Sequence, residues 1–165
     1  MNEFAIDFSE LTRWRAQMEK APTIVQEELI AAVTEADLLI EREIKDVWPT
    51  ASGVSRASIT HVERVAGLGV EGFVGSTLDY VQPVDLGTKP HFPPVEALID
   101  WVRTKLGIAN EKEARGVAFL IARKISRVGT KGAHVFDETL ARLEPQLGAI
   151  FTAAQGRILA RTGVA

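Results

Sequence analysis

Apolar residues recur at helical spacing through the first third of the chain. Val25, Leu29, Val33, Ala36, Ile40, Ile44 and Val47 follow one another at steps of three or four. That repeat puts side chains on one face of an α-helix. The acids Glu27, Glu28, Glu35, Asp37 and Glu41 lie largely off that line, and the pattern stops at Trp48-Pro49. A shorter helix over residues 8–20 carries Leu11, Trp14 and Met18. Ala21-Pro22 separates the two, with Pro22 suited to the first turn of the second because its missing N–H has no partner there.

The period then changes. Pro49 to Ser55 reads as a loop by its Pro, Gly and Ser content. Ile59 to Val65 and Val70 to Ser76 are rich in Val, Ile, Thr and Phe around Gly67-Leu68-Gly69. They predict a β-hairpin. Tyr80 to Leu86 predicts a third strand, which Pro83 confines to an edge or a bulge. Gly87 to Pro94 (GTKPHFPP) holds three prolines in eight residues and predicts a stiff, extended loop.

Helical spacing returns with Val95, Leu98, Ile99, Val102 and Leu106, ending at Gly107. Asn110, three residues before Glu113, opens a further helix through a capping box. Its apolar positions are Val117, Leu120, Ile121, Ile125 and Val128. Gly129 to Gly132 (GTKG) reads as a flexible basic link. Phe136, Leu140, Leu143, Leu147, Ile150, Ala154 and Ile158 form a last stripe, which Pro145 kinks or restarts. The closing RTGVA reads as frayed. These elements predict an α+β fold: a small antiparallel sheet of two to four strands packed by a long N-terminal helix and C-terminal helices. One domain spans residues 1–165, helical over 1–48, β over 56–88 and helical over 94–160.

Composition narrows the chemistry. Nearly half of the 165 residues are apolar, enough for a real core. No cysteine is present, which excludes disulfides, thiolate metal sites and a cysteine nucleophile. The start MNEFAIDFSELTRW has no basic n-region or apolar h-region and reads as no signal peptide. No apolar run approaches the ~20 residues of a membrane helix, so no membrane partner is expected. The net charge is −3, unevenly spread. Residues 1–48 hold eleven acids and five bases, whereas residues 103–131 hold eight bases and two acids. Such polarity suits head-to-tail contact between copies, or a basic face toward nucleic acid.

Catalytic patterns are not found. His61, His91 and His134 lie far apart, outside any ligand spacing. Gly67, Gly69 and Gly72 belong to the hairpin and precede no helix, so they form no phosphate cradle. Ser52, Ser55, Ser58 and Ser76 lack a nucleophile context. Glu27-Glu28 and Glu41 with Glu43 read as a solvated helix face. Arg123, Lys124, Arg127 and Lys131 form a basic surface toward a partner or toward phosphates, without interleaved aromatic residues for base stacking. The expectation is a non-enzyme that uses no cofactor and no metal.

The centre of the chain is more specific. LDYVQPVDLGTKPHFPP resembles a pattern of phage tail completion proteins, the minor tail or neck components that join heads to tails. There an aromatic strand end leads through "YA…VE.GT" into a proline-containing loop and a helix. Tyr80, Val81, Val84, Asp85, Gly87, Thr88, Pro90, Phe92 and Pro93 occupy those places, with Asp85 where glutamate is usual. SGVSRASI is similar to the family's "tGrLrrSi", through Gly53, Arg56, Ser58 and Ile59. AFLIARKISRVGTKG is similar to a segment of a longer subgroup.

The resemblance covers about residues 20–160. It implies a virion protein assembled in the host cytoplasm, one subunit of a ring that is usually hexameric. The ring sits between connector or stopper proteins and the tail terminator or tail tube, with DNA passing through its lumen. Tyr80, Asp85, Gly87, Thr88, Lys89, Pro90, His91, Phe92 and Pro93 then become subunit or partner contacts. The loop reads equally as a rigid connection within the domain.

Overall fold

The computed structural model describes residues 9–49, 53–67 and 69–163. Phe8, Leu68 and the last two residues of RTGVA lie outside them, as do the side chains of Leu11 and Trp14. The fold is α+β. Its elements are α1 (Ser9–Val47), α2 (Val54–Ser58), β1 (Thr60–Ala66), β2 (Gly69–Gly75), α3 (Val81–Leu86), β3 (Gly87–Thr88), α4 (Val95–Leu106), α5 (Glu111–Val128), β4 (Thr130–Lys131) and α6 (Val135–Thr162).

The expected break at Ala21-Pro22 is helical, and α6 does not restart at Pro145. The helix α1 runs unbroken through Pro22, and α6 runs through Pro145. Both prolines are exposed, and so is Ala141, whose carbonyl Pro145 leaves without its helical N–H. Water reaches such a carbonyl, so the lost bond is tolerated at Pro145. Tyr80–Leu86 is not a third strand. Val81–Leu86 forms α3, with Pro83 in its first turn, where a missing N–H costs nothing. The strands β1 and β2 pair as the predicted hairpin, and a second small sheet pairs β3 with β4 antiparallel, Gly87 opposite Lys131 and Thr88 opposite Thr130.

The chain divides into two compact units. One comprises Met1–Leu39, His61–Phe73 and Leu143–Ala165. In it Ala32, Val33 and Ala36 of α1 and Ala154 of α6 are buried. Glu28 receives hydrogen bonds from Arg157 Nε at 2.6 Å and Arg161 Nη1 at 2.8 Å, and Glu27 receives one from Arg161 Nη2 at 2.8 Å. Two guanidinium groups thereby tie the last turns of α6 to α1.

The other unit comprises Ile40–Thr60 and Val74–Arg142. Its first core gathers Ile44, Trp48, Ile59, Val81 and Val135, with Val74, Leu78 and Phe136 packed on them. Trp48 meets Phe136 edge to face, centroids 5.8 Å apart. The indole N–H is satisfied by Ser55 Oγ at 3.1 Å, so a large ring is buried without an orphaned donor. A second core joins α4 to α5 through Val102, Ala114 and Ala118, with Leu98, Ile99, Val117 and Ile121 beside them. The Asn110 side chain accepts from Glu113 N at 3.1 Å and starts α5, and Gly107 ends α4 in the left-handed conformation, as predicted.

Candidate functional site

Backbone geometry explains the GT and GTKG segments. Gly87 and Gly129 both have positive φ, 77° and 72°. A β-carbon at Gly87 would strike the Thr130 carbonyl and the Gly132 amide, and one at Gly129 would strike the Thr88 carbonyl. A β-carbon at Gly132 would strike the carbonyls of Asp85 and Leu86. These glycines therefore let two backbones touch. Thr88 Oγ1 and Thr130 Oγ1 lie 2.9 Å apart, and Thr130 N donates to Thr88 Oγ1 at 3.2 Å. The GTKG segment is thus a clamp and not a flexible link.

Asp85 fastens the same clamp. It is buried, and its Oδ1 accepts from Val135 N at 2.6 Å and Phe136 N at 3.4 Å. Its carbonyl accepts from His134 N at 2.9 Å, and that of Val84 from Ala133 N at 3.0 Å. The carboxylate therefore caps the N-terminus of α6, where unpaired amides and the helix dipole favour negative charge. Of the residues expected at a subunit contact, Asp85 is committed inside its own chain. Gly87 and Thr88 are half-buried in the clamp.

The remaining members lie outward. Lys89, Pro90, His91 and Phe92 are exposed, Pro93 is half-buried, and Tyr80 is exposed at the start of α3. His91 Nδ1 lies 2.9 Å from the Lys89 carbonyl. Phe92 packs at a T-shaped angle on Phe119 of α5, centroids 6.1 Å apart. The loop is consequently held at its root by β3–β4 and near its tip by α5, while Phe92 and Phe119 each keep about half their surface open.

The orientation of α5 differs from the predicted stripe. Ala114, Ala118 and Ala122, at steps of four, are its buried residues. Small side chains let helices approach closely, so α4 docks on the alanines. Leu120 and Val128, expected inward, are 62% and 67% exposed. With Arg123, Lys124 and Arg127 they line an open groove of about 360 Å³. Arg123, Lys124 and Arg127 are thus brought together, without an ion pair among the described residues, whereas Lys131 lies in β4 and outside that groove. The alanine repeat was the signal in the sequence for this rotation.

Elsewhere, a cavity of about 330 Å³ is lined by Ser76 to Asp79, Val81, Gln82, Asp85, Leu86 and Phe136. Two of its polar side chains are engaged locally: Ser76 Oγ lies 2.6 Å from Ser58 Oγ and accepts from Leu78 N at 3.1 Å, and Asp85 caps α6. Among the described residues no group of three or more His, Asp or Glu is placed to hold a metal. No described helix is long and apolar enough to cross a membrane.

No protein-family model, curated protein or solved structure matches the chain.

Proposed function

We propose that this chain is a structural subunit of a phage neck, forming a ring that joins the head connector to the tail. The observation that carries the reading is the clamped loop with its exposed tip. Lys89, Pro90, His91 and Phe92 are presented to solvent on a segment fixed by three glycine contacts, the Asp85 cap and Phe119. A docking element already held in shape loses little conformational entropy on binding. The apolar-basic outer face of α5 beside it supports a role in assembly, because exposed apolar groups within a charged rim mark interaction surfaces. The resemblance over Gly53 to Pro94 supplies the kind of assembly.

Deletion of the gene from its phage tests this. Electron microscopy then finds full heads and finished tails that are not joined, and supplying the chain in trans restores infectivity. Normal particle yield after clean deletion overturns it. The second reading, non-specific nucleic-acid binding, draws on the convergence of Arg123, Lys124 and Arg127. Salt-sensitive retention of DNA by the isolated chain, lost in Lys124→Glu with Arg127→Glu, would favour it.

A further inference from the structure

We infer that α5 and α6 carry complementary faces through which two copies of this chain join head to tail, the basic face of α5 receiving the acidic face of α6 from the next copy. The inference rests on the ring reading and names its contact. The α5 face consists of Arg123, Lys124 and Arg127 set among exposed Phe119, Leu120 and Val128. On α6, Asp137, Leu140 and Glu144 recur at steps of three and four, which places them on one side of that helix. Glu138 adds a fourth member. Leu140 is 43% exposed, and Asp137, Glu138 and Glu144 are exposed without an ion pair or side-chain hydrogen bond among the described residues.

Three unpaired bases around leucine and valine therefore meet a counterpart of three unpaired acids around leucine. Phosphate binding alone gives no use to the exposed Leu120 and Val128 that line the groove, whereas an apolar side chain such as Leu140 would pack on them. Neither face is self-complementary: a two-fold contact of either with itself would oppose like charges. Each face therefore pairs with the other and not with itself, and where that pairing repeats around an axis in the head-to-tail sense it closes a ring. Opposed charges also set register and suppress wrong pairings.

Charge exchange tests the contact. One variant carries Arg123→Glu, Lys124→Glu and Arg127→Glu, and the other carries Asp137→Lys, Glu138→Lys and Glu144→Lys. All six positions are exposed, and thermal melts by circular dichroism check folding. Single reversals, Lys124→Glu and Glu144→Lys, serve if a triple variant melts early. Mass is read by light scattering coupled to gel filtration, with and without purified connector. Each variant alone is expected to remain monomeric where the wild type assembles, with association weakened about a hundredfold or more. An equimolar mixture recovers the wild-type mass, because each altered face then meets its opposite.

Variants that assemble like the wild type overturn this contact and leave the ring reading standing. A mixture that stays monomeric also overturns it. A wild-type chain that is monomeric alone and with connector overturns the contact and the ring together. Loss of DNA retention in the α5 variant with unchanged assembly assigns that face to nucleic acid and overturns the contact.

Discussion

The carboxylate of Asp37 occupies the space that a β-carbon on residue 72 would need. Asp37 lies on α1 and Gly72 on β2, so the absence of one side chain admits the other. Gly72→Ala forces a shift of helix or hairpin and is expected to cost about 1–3 kcal/mol, the usual cost of overpacking. Adding Asp37→Ala removes the obstacle. Urea unfolding of the two single variants and the double variant should therefore show strong non-additivity, the double recovering most of the loss caused by Gly72→Ala. Additive effects would show that the two residues do not meet.

Asp37 also predicts a pH dependence. It is 5% exposed, and its Oδ2 has no hydrogen-bond partner among the described residues. Burial pushes its pKa up, the Glu63 carboxylate adds to the rise, and His61 opposes it. A carboxyl that is harder to ionise in the fold than in the open chain destabilises the fold once it is ionised. That penalty is absent below the ordinary value of 3.8. It grows as pH rises through the folded value, and is complete above it. Asp37→Asn keeps the shape without the charge. It is expected to be more stable than wild type at pH 7, on the order of 1 kcal/mol, with the gain vanishing as both are titrated down to pH 3.5. A constant difference across that range would contradict the assignment.

Glu28 behaves in the opposite sense. Hydrogen bonds from Arg157 and Arg161 hold its carboxyl below the usual value of 4.5, against the opposing effect of desolvation. Its contribution is thus fully present above 4.5 and is lost as pH falls through the lowered value. Glu28→Gln should lower the melting temperature at pH 7 more than Glu27→Gln, because Glu28 receives both guanidinium groups and Glu27 only one. The difference between Glu28→Gln and wild type should close in acid. Equal effects of the two substitutions would mean that the tie between α6 and α1 is not centred on Glu28.

These contacts mark where the sequence was legible. The long helix, the hairpin, the Asn110 cap and the Gly107 stop follow from periodicity and local chemistry, and each appears in place. Tyr80–Leu86 reads as a strand because Val and Leu suit one, while burial of Val81 and Asp85 on one side selects a helical turn. The rotation of α5 is hidden because leucine and valine outrank alanine in a hydrophobic stripe, whereas close packing on α4 selects alanine. The clamp depends on residues more than forty positions apart, Thr88 and Thr130 among them, a pairing that no local pattern encodes. In the hairpin, His61 and Glu63 are half-buried while Val62 and Phe73 are exposed, the reverse of what hydropathy favours. Arg64 covers the Phe73 ring at 5.6 Å, which shields part of that face.

The clamp itself gives the last prediction. Asp85→Ala removes the acceptor for Val135 N and Phe136 N and leaves the first turn of α6 uncapped. A lost cap costs about 0.5–2 kcal/mol, and burial of the freed amides places Asp85 toward the upper end. Amide hydrogen exchange should then quicken first at Val135 and Phe136, before any change at Ala114 or Ala118 in the α4–α5 core. Gly129→Ala attacks the same clamp from the other strand, through a positive φ and a collision with the Thr88 carbonyl. It should loosen the β3–β4 pair and release Phe92 from Phe119. In the ring reading, both substitutions weaken assembly although neither residue faces a partner. Restoring the loop with a disulfide between residues 88 and 130 should recover assembly in Gly129→Ala if the loop's shape is what matters. Failure to recover it, in a variant whose melting temperature has returned to that of the wild type, would show that the clamp serves folding and not docking.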